Sequence, residues 1–245
     1  MPPSRSRSGT SSRAALIVTC EHGGNLIPRR WAILFRGRGA WLRSHRGYDL
    51  GAAPVAKYLA RTFRAPLFIA TTSRLLVDMN RSDHHPRLFS KVTRPLPEKE
   101  RRRIVEQHYD RHRGAVERAI VRAEKLGSRV VHIAVHSFTP ILNGIPRRAD
   151  VGLLYDPARA GEREFCARWQ VALERVDPSL RVRRNYPYRG TSDGFTTALR
   201  RAHSASAYAG IEVELSQRLL RTPAGLHRMG RLLVESLVGL PLQLG

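Results

Sequence analysis

Short unbroken apolar runs alternate along the chain with longer stretches in which apolar residues recur every three or four positions. Residues 14–19 (AALIVT), 65–71 (APLFIAT), 130–135 and 151–155 (VGLLY) have strand length and little alternation, which is how strands covered on both faces read, and 210–215 (GIEVEL) is a last strand with two carboxylates on one face. Between them lie helical patterns. One starts at Pro28 and runs through Trp31 and Leu34. A second opens at Tyr48-Asp49-Leu50 and carries Ala52, Val55, Ala56, Leu59 and Ala60 on one face. Residues 96–126 give a long charged helix with a single apolar-to-neutral stripe from Ile104 to Ala123. Residues 162–176 and 223–238 give two more helices. Strands separated by helices predict a single α/β domain over residues 14–245. Its central sheet would be mostly parallel or mixed and flanked by helices, and 245 residues suffice for its core.

Polar residues cluster where these strands stop. Residues 14–19 run into Cys20-Glu21-His22-Gly23-Gly24-Asn25, and 130–135 into His136-Ser137. The apolar triplet 75–77 ends in Asp78-Met79-Asn80-Arg81. In open α/β sheets the carboxyl ends of the strands line the ligand crevice, so His22, Asp49, Asn80, Arg81, His136 and the Glu212/Glu214 pair are expected along one edge. Glu212 and Glu214 lie two apart on a strand and share a face; burying them requires a compensating cation, an arginine or a metal-bound water. Two histidines and a carboxylate are a common ligand set for catalytic zinc. Arg81 and Asn80 suit an acidic substrate, because a guanidinium grips a carboxylate with two parallel hydrogen bonds. The polar, glycine-bearing loop 185–194 is a candidate binding-site wall, with Arg189 and the nearby Thr196 as substrate contacts. Each residue also has a plainer reading. His136 can cap a strand, Asp49 a helix, Asp78 and Arg81 can close a turn, and the two glutamates can pair with arginines. His45 lies near the same crevice, and His84-His85 is a loop pair rarely used for metal.

Composition adds two constraints. The net charge of +23 invites a nucleic-acid partner. However, the arginines are spread along the chain, densest at Arg101-Arg102-Arg103, without a helix-turn-helix, zinc finger or RNA-binding aromatic motif. The basic surface is therefore read as solvated, and a basic nucleic-acid-binding or non-catalytic protein on a degenerate hydrolase scaffold is the alternative. Two distant cysteines, Cys20 and Cys166, give no disulfide framework and a reducing cytoplasm as default. Residues 1–13 read as a disordered Arg/Ser-rich tail, and no apolar run is long enough to span a bilayer. Nothing in the sequence assigns an oligomeric state.

The segments VTCEHGGNLIP, HRGYDLGA, SRLLVDMNRS, AVHSFTP, VGLLYDP and GIEVELSQ, in this order, resemble the N-formylglutamate amidohydrolase family from about Leu16 to Gln217. The match is closest to the branch with the AVHSFTP segment. The resemblance implies an α/β fold akin to the zinc carboxypeptidases and aspartoacylase, the phosphorylase/hydrolase-like class. It also implies hydrolysis of an N-acyl amide of an acidic amino acid, such as N-formylglutamate to glutamate and formate in histidine catabolism. One Zn2+ per chain is implied, with His22 and His136 matching the metal histidines and Glu214 the carboxylate cast as general base, Glu212 second. Asn25 falls where related enzymes have a glutamate ligand, and Asp49 is the expected third ligand in its place. The implied partner is a small N-acyl amino acid, with its carboxylate on Asn80 and Arg81.

Overall fold

The computed structural model describes residues 14–240; the Arg/Ser-rich segment 1–13, expected to be a disordered tail, lies outside them. In chain order the elements are β1 (Ala14–Cys20), a 3-10 turn (Arg29–Phe35), α1 (Gly39–Leu42), α2 (Ala52–Phe63) and β2 (Leu67–Ile69). Then come α3 (Glu98–Ile104), α4 (Asp110–Lys125), β3 (Arg129–Phe138), and a hairpin of β4 (Ile141–Leu142) and β5 (Ile145–Pro146). The chain continues through β6 (Val151–Leu154), α5 (Ala160–Val176), β7 (Val182–Arg184), α6 (Phe195–Ala202), β8 (Tyr208–Ser216) and α7 (Pro223–Val238). The main sheet has the order β2-β1-β3-β8-β6-β7. Its first four strands are parallel, and β6 turns the direction by pairing antiparallel with β8. The sheet is thus mixed, as expected, and its three long strands end on one edge.

The strands alternate between two chemically distinct faces. Val18, Val131, Ile133, Val135, Ile211, Val213 and Leu215 point into one large core with α2, α5 and α7, around the fully buried Trp169 and Leu233. The opposite face meets α4 and α6 in a smaller cluster of Ile17, Val116, Ile120, Phe195 and Leu199. On this face Thr19, His132 and Tyr208 form a buried hydrogen-bonded row, with His132 2.8 Å from Thr19 Oγ1 and 2.7 Å from the Tyr208 hydroxyl. One residue pair further on, Ala134 sits beside Glu212, and then His136 beside Glu214.

Several elements differ from the pattern-based expectation. β3 does not break off before His136 but runs to Phe138, because Ser137 and Phe138 still pair with Leu215 and Ser216 of β8. The 65–71 strand shrinks to three residues. The apolar triplet Leu75–Val77 forms turns, its side chains filling a satellite core with Trp31, Phe35, Met79, Ile104 and Tyr109. Apolarity signalled burial correctly there, but the partner is a side cluster and not the sheet. The helix at Pro28 is a single 3-10 segment, and the 96–126 helix is interrupted by a π-turn at Val105–Tyr109. Among the described residues, no helix is long and apolar enough to cross a membrane.

Candidate active site

β1 stops at Cys20 and delivers Glu21 and His22 beyond its end. His22 lies against the loop before α2, where its carbonyl accepts from the Asp49 N–H at 2.9 Å. α2 itself begins after Gly51, whose positive φ of 80° a Cβ could not share, since Leu220 would lie 2.5 Å from it. The Asp49 side chain therefore does not cap α2. It turns inward, with Oδ2 2.9 Å from His136 Nδ1 and 3.4 Å from His22 Nδ1, and accepts from the Ser137 N–H at 3.3 Å. His22, Asp49 and His136 thus come together fully buried, with one potential ligand atom of each within 4.8 Å of the others.

The far nitrogens of both imidazoles meet further carboxylates. His22 Nε2 is 2.6 Å from Asp78 Oδ1, and Asp78 accepts from Arg74 at 2.8 Å. His136 Nε2 is 3.1 Å from Glu21 Oε2. Asp78 is held there because its neighbours Val77 and Met79 are anchored in the satellite core and its own N–H donates to Leu88 O. Burial alone would raise the Asp49 and Asp78 carboxyls. The imidazoles, and Arg74 for Asp78, reverse this and hold both well below the usual carboxylate range. Burial and Arg74 disfavour charge on His22, yet Asp78 and Asp49 raise its pKa above the ordinary value; His136 is likewise raised, by Asp49 and Glu21. The cluster therefore favours positive charge between its carboxylates.

A cavity of about 230 Å³ opens beside this cluster. Its floor is His22, Asp49, His136, Glu212 and Glu214; its walls are Arg74, Asn80 and Arg81 on one side and Tyr188, Arg189, Ser192 and Asp193 on the other. The second wall is the 185–194 loop, drawn over β6 at Gly152, where a Cβ would stand 1.9 Å from the Tyr186 carbonyl oxygen. Gly152 pairs with Glu214, so this close approach brings the loop to the edge where the polar residues gather. The two glutamates are not equivalent. Glu212 Oε1 accepts from the Thr196 hydroxyl at 2.5 Å, whereas Glu214 Oε2 is buried without a hydrogen-bond partner. The Glu214 carboxyl is pushed up to about 8 by burial, with His136 opposing and Asp49 and Glu212 adding to the rise.

Most residues expected at one edge meet there, with corrections. Asn80 and Arg81 line the cavity from a turn and not from a strand end. Phe195 N–H donates to Asn80 Oδ1 at 2.7 Å, leaving the amide NH2 for a ligand, and Arg81 donates to the Asp193 carbonyl at 3.2 Å. Arg189 lines the cavity as expected. Thr196, expected as a substrate contact, is fully buried behind Glu212 and holds that carboxylate. Asn25 donates to the Leu42 carbonyl. His84 pairs with Asp83 on the surface. In the Arg101–Arg103 patch, Arg102 pairs with Glu98 and Arg103 with Glu100, so part of that charge is neutralised locally. Pattern reading passed over Arg74, and took Tyr188, Ser192 and Asp193 only as part of the 185–194 wall. Arg74 carried a usable signal, since it lies four residues before Asp78 and pairs with it.

The N-formylglutamate amidohydrolase family model matches residues 14–221. Among curated proteins none matches this chain in sequence. Among solved structures, a gene product of Agrobacterium tumefaciens is 26% identical, with a TM-score of 0.77 over 93% of this chain and 92% of that one. The N-formylglutamate amidohydrolase of Ralstonia eutropha JMP134 is 19% identical, with a TM-score of 0.68 over 93% of each chain, which shows a shared fold. The family match spans every segment that builds the site, from His22 to Glu214, and the chain belongs to the N-formylglutamate amidohydrolase family.

Proposed function

We propose that this protein is a zinc-dependent amidohydrolase that removes the acyl group, formyl in the simplest case, from an N-acylated acidic amino acid such as N-formylglutamate. The observation that carries the reading is the convergence of His22 Nδ1 and His136 Nδ1 on Asp49, with a carboxylate behind each ring. Ligating histidines are typically backed in this way. The donor set fits one zinc: two imidazoles and a carboxylate, in a cluster that favours positive charge. Bound there, zinc would polarise the amide carbonyl and acidify a water.

The remaining roles fall to the chain's own groups. Glu214, which lines the cavity and whose Oε2 has no hydrogen-bond partner, is the proton acceptor and returns the proton to the leaving amine nitrogen. A cation at the histidines would draw its raised pKa down, leaving it ionised for the first transfer. Glu212, committed to Thr196, orients the substrate side of the floor. Arg81 and Arg189 present guanidinium groups to the substrate carboxylates, and the Asn80 NH2 is available to a carbonyl or carboxylate oxygen. The 230 Å³ cavity suits a small N-acyl amino acid more than a peptide.

Zinc content and formate release from N-formylglutamate, measured on wild type beside His136→Ala, test this reading. About one zinc per chain, lost in the variant together with turnover, is expected. Turnover that persists in a zinc-free preparation would overturn the metal role. Zinc without formate release would move the substrate to another acyl group.

A further inference from the structure

Two charged arms lead into Asp49 from opposite sides and are built alike. In the first, Arg74 donates to Asp78, Asp78 backs His22, and His22 faces Asp49. In the second, His136 faces the same Asp49 oxygen, and its Nε2 lies 3.1 Å from Glu21 Oε2. Behind Glu21 stands His112 of α4, its Nε2 3.8 Å from Glu21 Oε1. Glu21 is 1% exposed; its two oxygens, His136 Nε2 and His112 Nε2 make no hydrogen bond, so these ion-pair contacts are what holds them. A carboxylate buried at this depth and held by imidazoles alone works against folding, so a purely structural role accounts poorly for it.

We propose that Glu21 and His112 are a positioning pair for His136. The inference rests on the metal reading above. The Glu21 carboxylate attracts the Nε2–H of His136, which keeps the proton on Nε2 and leaves Nδ1 as the metal-facing nitrogen, turned toward Asp49 and His22. His112 stands beside Glu21 as Arg74 stands beside Asp78: its Nε2 lies 3.8 Å from the outer oxygen and restricts the orientation of the carboxylate. A single strand end thus supplies a ligand, His22, and the support of the other ligand through its neighbour Glu21. His112 contributes from a helix that lies outside the cavity, and acts only through Glu21. Removing the outer carboxylate behind a ligating imidazole typically weakens metal binding by about 10–100-fold.

The test is zinc affinity by chelator competition, on wild type, Glu21→Gln, His112→Gln and the double variant, each confirmed folded by circular dichroism. Glu21→Gln keeps the shape of the side chain and is expected to bind zinc about 10–100-fold more weakly. His112→Gln should fall between it and wild type. The double variant should match Glu21→Gln to within about twofold, because His112 has nothing left to act through. Unchanged affinity in folded Glu21→Gln, or losses that simply add in the double variant, would overturn the pair. Absence of zinc binding in wild type itself would instead bring down the metal reading, and this inference with it.

Discussion

The two faces of the central sheet are made by the same strands, residue by residue, yet they do different work. On the α2/α5/α7 face, Ile211, Val213 and Leu215 enter a continuous apolar core. On the α4/α6 face, Gly210, Glu212 and Glu214 alternate with them and meet His132, Ala134 and His136 of β3. Burial is as complete on one face as on the other; what differs is how it is stabilised. The apolar face gains roughly 25 cal/mol per Å² of apolar surface removed from water. The polar face spends part of that gain holding charges in a dry place, where they interact more strongly and keep shifted pKa values. Stability and chemistry are thereby segregated by the two-residue period of a β-strand.

Substitutions at alternate positions of β8 sharpen this contrast most. Glu214→Gln is expected to lower kcat by about 10²–10⁴-fold with little change in KM. It should also stabilise the metal-free protein at pH 8 relative to wild type. The raised carboxyl pKa of wild type means that stability falls as pH rises from the unfolded value near 4.5 toward about 8, and glutamine removes that loss. Steady-state kinetics and urea unfolding at pH 5 and 8 measure both effects; if Glu214→Gln turned over normally, proton transfer would have to be reassigned to Glu212. Ile211→Ala, three residues earlier and on the other face, should do the reverse. Emptying a fully buried site costs about 2–5 kcal/mol of unfolding free energy, while kcat below the unfolding transition stays near wild type. A kcat loss in Ile211→Ala as large as that of Glu214→Gln would show that the faces are not separable.

A smaller effect concerns the polar row beneath the site. Burial holds the His132 pKa down at about 4. Above pH 6.5 both folded and unfolded chains carry it neutral and nothing is lost. As pH falls from about 6.5 to 4 the unfolded chain takes up the proton and the folded one does not. Wild type should therefore lose about 3 kcal/mol across that window through this residue. Unfolding curves at pH 7, 5.5 and 4.5 for wild type and His132→Gln give the contribution as the difference in slope. Parallel slopes would mean that His132 already shares its proton within the Thr19–Tyr208 row.

What the sequence determined by itself was the alternation of elements and the identity of the polar residues that interrupt it. The segments 14–19, 130–135 and 210–215 became the three adjacent parallel strands, because apolar segments of strand length are stable only when covered. His22 and His136 were legible as titratable residues where such a run stops, Asp49 as an acid opening a helix, and Glu214 as a charge inside a strand, where it has no apolar use. The tertiary structure decided the rest. It carried β3 past His136, because pairing with β8 outlasts the apolar run. It turned Asp49 inward to the two imidazoles and the Ser137 N–H, and not to a cap on α2, the plainer of its two readings. It removed Thr196 from the cavity and gave it to Glu212. It also brought Arg74, Glu21 and His112 behind the two histidines, from a turn, a strand end and a remote helix. No local pattern encodes such meetings. Short-range periodicity reports which way a side chain faces, whereas contacts between residues tens of positions apart depend on how the sheet edge, the 70–96 turns and α4 close on one another.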